Sequence, residues 1–202
     1  MELGKTLQYD GSFNGFLTAV YLAVDKHWNV VAINKNANDS TELFIHTEYV
    51  RTDPSLAKRV WNSIGQKNSL AIKRIYFSFL SEYPNIEVSL YRYILWLVDR
   101  NTKEYLVEIP QATELLNTLA AKVEKEKRRM EIFAQFQLAK EHSNSVNLKP
   151  KYNVLPLLSK HLREAEKGKH WQIYDERRNY GIAYADGSLQ LISSDTSTRL
   201  AV

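Results

Sequence analysis

Apolar side chains recur every three or four positions along much of the first half of the chain, and this spacing predicts helices. The clearest pattern runs from Phe13 to Val24, where Ser12 or Asp10 stands ready to accept a backbone N–H of the first turn. Short strands are predicted on both sides of this helix, at Leu7 to Tyr9 and at Glu42 to Val50.

Three more amphipathic helices follow, and they are short enough that we expect them to pack together. The first opens at Asp53-Pro54, and Gly65 is expected to end it. Ser69 is expected to cap the second, and the third runs from Ile86 to Val98.

The pattern changes in the middle of the chain. Apolar positions from Ala112 to Val123 predict a fifth helix, which runs into a basic cluster at Lys125 to Arg129. From Ile132 the pattern changes to a period of two, which predicts that the chain enters a strand there. In this alternation Ile132, Ala134 and Phe136 form one face, and Phe133, Gln135 and Gln137 form the other.

The last third combines one helical pattern with several strand patterns. The helix is predicted at Tyr152 to Ala165, and the strands at Val146–Leu148, Trp171–Asp175, Asn179–Ala185 and Leu189–Ile192. Asp186-Gly187 between the last two strands is a hairpin signal.

These patterns predict an α+β fold, with a mainly helical N-terminal half and a small antiparallel sheet with backing helices in the C-terminal half. We expect one compact domain over residues 1–202, with subregions 1–110 and 111–192 and a loose tail at 193–202.

Composition narrows the range of possible partners and sites only a little. The chain has 202 residues, with 27 basic and 23 acidic side chains and a formal charge of +4, which permits a nucleic-acid partner without requiring one. Cysteine is absent, so this chain holds no disulfide and no cysteine-ligated zinc or iron–sulfur cluster. No signal core and no run of about 20 apolar residues occurs, which predicts a cytoplasmic protein without a membrane partner.

Two pairs of adjacent arginines are the candidates for phosphate contacts, Arg128 with Arg129 and Arg177 with Arg178. Trp171 and Tyr180 flank the second pair and are candidates for stacking or for supporting such a platform. The competing interpretations are a favourable helix end for the first pair and ordinary core aromatics for the second.

Other kinds of site find little support in the sequence. The histidines show neither triad spacing nor metal-ligand spacing, and we expect no metal and no cofactor. Two alternatives to nucleic-acid binding stay open. One is an enzyme acting on nucleic acid with Asp10, Asp175 or Glu82 as acid or base, and the other is a protein-binding module whose arginines contact an acidic partner.

Three blocks of sequence follow one another along the chain: YDGSFNGFLTAV at Tyr9 to Val20, EKRRM at Glu126 to Met130 followed by Phe133 and Phe136, and WQIYDERRNYG at Trp171 to Gly181. Together they resemble a bacterial family described as "probable DNA metabolism proteins", the domain of unknown function DUF4130. The resemblance covers about residues 7 to 185. Its signature positions are Tyr9, Asp10, Gly11, Ser12, Met130, Asp175 and Gly181.

The resemblance implies an accessory protein of DNA metabolism that works with a radical SAM protein. Some members of the family are fused to a uracil-DNA-glycosylase-like domain, whereas this chain resembles the stand-alone form. It departs from the family pattern at Arg128, where histidine is expected, and at Gln135, where arginine is usual. A chemical role of either family residue would therefore be missing here.

Overall fold

The computed structural model describes residues 4–35, 46–98, 109–140, 144–166 and 168–193. The chain folds as two compact units, Met1–Ala120 and Ala121–Val202. The prediction of one domain over residues 1–202 concerns how these units associate, and it stays a prediction. Residues 42–45 of a predicted strand and nearly all of the predicted loose tail lie outside the described residues.

The first unit combines a three-stranded parallel sheet with helices. In chain order its elements are β1 (Lys5–Tyr9), α1 (Phe13–Asp25), β2 (Val30–Lys35), β3 (His46–Tyr49), α2 (Pro54–Lys67), α3 (Ser69–Leu80) and α4 (Ile86–Val98). The strand order is β2-β1-β3, with β1 parallel to both neighbours. Sequence patterns missed β2, because its short apolar run at Val30 to Ile33 has no clear alternation.

Side-chain caps define where α1, α2 and α3 begin. Ser12 Oγ accepts the N–H of Gly15 at 2.9 Å, and Asp53 Oδ1 accepts the N–H of Ser55 at 2.8 Å. The expected cap of α3 was wrong by one residue, because Asn68 Oδ1 accepts the N–H of Leu70 at 3.0 Å.

The expected end of α2 at Gly65 was also wrong, since the helix continues to Lys67. Glycine favours a helix end only where the chain must turn into the left-handed region, and Gly65 keeps an ordinary φ.

The first unit packs its helices through a cluster of aromatic rings. The ring of Phe13 lies 5.3 Å from Trp61, 4.9 Å from Tyr76 and 5.0 Å from Phe79, measured between centroids. These residues come from α1, α2 and α3, so the predicted packing of α2 with α3 is confirmed, and α1 packs with both.

The long helix α5 (Ile109–Leu138) corrects the sequence interpretation most strongly. It continues through the whole segment in which a strand was predicted to begin at Ile132. From Val123 onward its buried positions are Val123, Glu126, Glu131, Ala134 and Leu138. Two of these are glutamates, which a hydrophobic pattern does not count, so the helical period was hidden.

The second unit carries a four-stranded sheet and one further helix. Its elements after α5 are β4 (Ser145–Leu148), α6 (Leu155–Ala165), β5 (Trp171–Asp175), β6 (Tyr180–Ala185) and β7 (Ser188–Ser193), with the sheet order β4-β5-β6-β7. The α+β class is confirmed. The sheet is mixed rather than antiparallel, because β4 pairs with β5 in parallel across the α6 connection.

The core of this unit lies between the sheet and its helices. Leu155, Leu158 and Leu162 of α6 are fully buried with Ile173. Within the sheet, Gly181 is required by the close approach of the neighbouring strands, because a Cβ there would lie 2.7 Å from the carbonyl oxygen of Ile173.

The predicted hairpin between β6 and β7 is confirmed. Asp186 and Gly187 have φ angles of 51° and 79°, which are the positive values that a two-residue type I′ turn requires.

Candidate nucleic-acid interface

The second arginine pair stands in a tight turn that is built on Asp175, the last residue of β5. The Asp175 side chain is completely buried. Its Oδ1 accepts the backbone N–H of Arg177 at 2.9 Å and of Arg178 at 3.2 Å, and its Oδ2 accepts Nη1 of Arg178 at 2.8 Å. A buried carboxylate satisfied in this way fixes the turn between β5 and β6.

Arg178 is turned inward. Only 11% of its side chain is exposed, and beyond Asp175 it donates to the carbonyl oxygens of Pro150 at 3.2 Å and Lys151 at 3.1 Å. The planar guanidinium therefore joins the turn to the loop that follows β4. Arg177 is exposed, and it donates one hydrogen bond of 3.3 Å to the carbonyl oxygen of Lys151.

The first arginine pair lies on α5, far from the end of that helix. Arg128 Nη2 contacts Glu124 at 2.9 Å, and Arg129 Nη2 contacts Glu126 at 2.9 Å. The two arginine side chains remain 72% and 66% exposed. Because each guanidinium carries five N–H donors, both can still contact a phosphate.

One loop residue, Lys151, connects the two arginine pairs. The Glu126 carboxylate is buried and accepts the backbone N–H of Lys151 at 2.8 Å, in addition to Arg129. The carbonyl oxygen of Lys151 accepts Arg177 and Arg178. The fold thus links Arg129, through Glu126, to Arg177 and Arg178 at a single loop residue.

Sequence reasoning missed the two residues that make this connection, Glu126 and Lys151. A signal for Glu126 exists, since it stands three positions before Arg129 and three after the buried Val123. No local pattern marks Lys151, because its role depends on backbone atoms that any residue except proline could supply.

The two aromatic candidates beside the second pair lie mostly inside the unit. Trp171 is 3% exposed and stacks on Tyr184 with ring centroids 5.5 Å apart, so its position suits support of the sheet rather than direct contact with a base. Tyr180 is half-buried, and its hydroxyl hydrogen-bonds Asn153 Oδ1 at 2.5 Å. Met130 packs against the same core from α5.

The first signature block forms a separate cluster at the end of β1. Asp10 Oδ1 accepts the N–H and the hydroxyl of Ser12 at 2.9 and 2.7 Å, and its Oδ2 accepts the hydroxyl of Thr52 at 2.7 Å. Gly11 has a φ of 81°, which lets the chain turn sharply into α1.

These contacts keep Asp10 ionised. Burial raises the pKa of Asp10, but the hydrogen bonds from Ser12 and Thr52 together outweigh it and hold the pKa below its usual range. A carboxylate with a lowered pKa is a weak base at neutral pH, so this geometry gives no support to a role in proton transfer.

Tyr9, next to Asp10, belongs to a buried polar cluster. Its hydroxyl donates to Glu87 Oε1 at 3.0 Å, and Lys35 Nζ lies 3.2 Å from the same oxygen. Burial, followed by the nearby charge of Glu87, raises the pKa of Tyr9 well above its ordinary value. Tyr9 therefore stays protonated and serves as a hydrogen-bond donor to Glu87.

Two further observations concern metals and membranes. Within the described ranges, no three histidine, aspartate or glutamate side chains come together in a way that could hold a metal ion. None of the helices in the described part of the chain has both the length and the apolar character needed to cross a bilayer.

Comparison with known proteins identifies a family. No curated protein and no solved structure matches this chain. The family model described as a domain of unknown function, DUF4130, matches residues 84–200, which is more than half of the chain. The second and third signature blocks lie inside that range, and the block from Tyr9 to Val20 lies before it. The chain therefore belongs to the DUF4130 family.

Proposed function

We propose that this protein binds nucleic acid through exposed cations of its second unit and serves as an accessory protein in DNA metabolism. The observation that supports the proposal most is that Lys151 links one arginine of the first pair to the second pair. Its N–H binds Glu126, the partner of Arg129, and its carbonyl oxygen accepts Arg177 and Arg178. Arg129 and Arg177 are then held near one loop while their side chains stay exposed.

The roles within the arginine pairs differ. Arg128, Arg129 and Arg177 are the residues proposed to contact phosphates, since each is exposed and retains free N–H donors. Arg178 is proposed as a positioning residue, because its guanidinium is taken up by Asp175 and two backbone carbonyls. Trp171 and Tyr180 are proposed to support the sheet beneath this surface.

Salt-dependent DNA binding tests the proposal. Fluorescence anisotropy with labelled single-stranded and duplex oligonucleotides between 50 and 200 mM salt should give affinities that fall as salt rises, because phosphate neutralisation releases counterions. The double variant Arg129→Gln/Arg177→Gln should bind more weakly, and its plot of log affinity against log salt should be shallower by roughly 1.5.

Lys160→Gln is the matched control, since it removes an exposed charge from α6 in the same unit and should leave the slope nearly unchanged. The proposal fails if the folded protein binds neither probe at 50 mM salt. It also fails if the double variant and the control behave alike.

The partnership with a radical SAM protein is proposed from the family resemblance alone. A pulldown of a co-expressed radical SAM protein by the tagged chain tests it, and retention equal to that of an untagged control would contradict it. Charge reversal at Arg177 that abolished partner capture but spared DNA binding would favour the protein-binding module instead.

Catalysis by Asp10 or Asp175 receives no support from their surroundings. Both oxygens of Asp175 are occupied by Arg178 and by backbone N–H groups, and Asp10 has a lowered pKa. The proposed function is therefore binding rather than acid–base chemistry at these residues.

A further inference from the structure

The outer side of α5 in the second unit presents an unusual set of side chains. All of them are exposed, and we call them the α5 stripe: Lys122, Lys125, Arg129, Phe133, Phe136 and Lys140. Steps of three and four residues place those from Lys122 to Phe136 on one face of the helix, and Lys140 follows two residues after its end. At 1.5 Å per residue the helical part of the stripe is about 21 Å long.

The α5 stripe carries cations without acidic residues. The glutamates of this helix segment lie off the stripe, and two of them, Glu126 and Glu131, are buried. Arg129 pairs with Glu126 and keeps its side chain 66% exposed, whereas no carboxylate in the described part of the chain pairs with Lys122 or Lys125. A polyanion therefore complements this face along its length.

Two phenylalanine rings interrupt the cations. Phe133 is 42% exposed and Phe136 is 63% exposed, and Lys140 Nζ stands 5.1 Å from the centroid of the Phe136 ring. Phe133 also lines a shallow pocket of about 370 Å³ together with Met130 and Lys149. Exposed rings between cations offer flat apolar surfaces that a charged ligand can cover.

These features distinguish single-stranded nucleic acid from other polyanions. A duplex keeps the faces of its bases inside the stack, so it can use the cations of the stripe but not the rings. A single strand offers both phosphates and free base faces, and stacking on aromatic side chains does not depend on sequence.

A membrane surface fits the α5 stripe less well. Helices that lie on bilayers bury a continuous apolar face along their length. The apolar face of this helix segment is already in the core through Ala134 and Leu138, and outward there remain only the two rings and the neighbouring Ile132.

We infer that the α5 stripe binds single-stranded nucleic acid, with Phe133 and Phe136 stacking on bases and the flanking lysines and Arg129 contacting phosphates. This inference rests on the proposed nucleic-acid function and adds to it the strand type and the residues that recognise it.

The test compares a 20-nucleotide thymidine strand with a 20-base-pair duplex by fluorescence anisotropy. The variant Phe133→Leu/Phe136→Leu keeps apolar side chains but removes the rings. We expect it to weaken single-strand binding by roughly tenfold per ring and to change duplex binding less than about twofold. Phe133→Tyr/Phe136→Tyr keeps both rings and should bind the single strand as tightly as the wild type does. Ile132→Ala is the control for loss of a neighbouring exposed apolar side chain.

Different failures are distinguishable. If the wild-type protein binds DNA and the leucine variant binds each probe as tightly as the wild type does, the rings do not stack. The inference is then overturned, while the proposed function stands. If neither DNA binds, both fail. Binding to phosphatidylglycerol vesicles that the leucine variant loses, without any DNA binding, would identify a lipid surface as the ligand and overturn both.

Discussion

Two aspartates, one in each unit, end a strand in nearly the same local way but in opposite surroundings. Asp10 follows β1 and accepts the N–H of Ser12, two residues on, and Asp175 ends β5 and accepts the N–H of Arg177, also two residues on. Asp10 lies at an exposed position, whereas Asp175 is completely buried.

The two carboxylates differ in the hydrogen-bond partner of their second oxygen, and this difference follows from their burial. In Asp10 it accepts a neutral hydroxyl from Thr52, which suffices where water still reaches the group. In Asp175 it accepts the charged guanidinium of Arg178, because a buried carboxylate is costly unless it is paired. The same turn motif is therefore held by neutral hydrogen bonds at the surface of one unit and by an ion pair with a buried carboxylate in the other.

The comparison is tested most strongly at Asp175. Asp175→Asn leaves Arg178 without its buried partner, and we expect the free energy of unfolding of the second unit to fall by about 3 kcal/mol. Urea unfolding followed by circular dichroism measures the loss, and hydrogen exchange should locate it in residues 171–185.

Asp186→Asn is the matched control. Asp186 is an exposed carboxylate at a positive φ in the neighbouring hairpin, and asparagine suits that turn equally well. We expect a change within about 0.5 kcal/mol. Equal effects of the two substitutions would show that the buried pair contributes nothing beyond its turn.

The next prediction concerns the space around Asp10. A Cβ on Gly15 would lie 2.2 Å from Asp10 Oδ1 and 2.8 Å from Thr52 Oγ1, so Gly15→Ala must displace this cluster. We expect destabilisation by about 1–3 kcal/mol, the usual cost of overpacking, although alanine is intrinsically the better helix former.

Gly65→Ala makes the same change in α2, where the nearest atom outside the backbone of that helix would be Ile72 Cδ1 at 3.7 Å. This variant should be neutral or more stable by up to about 1 kcal/mol. If thermal unfolding shows both variants stabilised, Asp10 is free to move and the cluster is not tightly packed.

The sequence predicted the elements of the two turns but not what surrounds them. Apolar periodicity located α1 and β5, and the preference of Asp and Ser for turns and caps marked Asp10 and Ser12. It could not separate exposed Arg177 from Arg178, which is turned inward, because adjacent residues in a turn point in different directions that only tertiary packing fixes.

The same limitation explains the error in α5. Its inward side contains Glu126 and Glu131, which are buried because Arg129, Lys127 and a backbone N–H satisfy them. Its outward side contains Phe133 and Phe136. A hydrophobic pattern assumes the reverse arrangement, so a helix with charged residues inside and rings outside was interpreted as a strand.

The smallest expected effect is the pH dependence of the Asp10 cluster. Because the folded pKa of Asp10 is lowered, its contribution to stability is complete above the unfolded pKa of about 4 and is lost as pH falls through the folded value. Asp10→Asn should therefore be less stable than the wild type at pH 7, by under about 1 kcal/mol for so exposed a group, and the difference should shrink below about pH 4.

Urea midpoints between pH 3 and 7 measure this difference, with the exposed Asp25→Asn as the control for charge number. If the urea midpoints of the two variants are equal at every pH, the hydrogen bonds from Ser12 and Thr52 do not stabilise the carboxylate. The contacts of Asp10 then differ from the ion pair of Asp175 in kind and not only in strength.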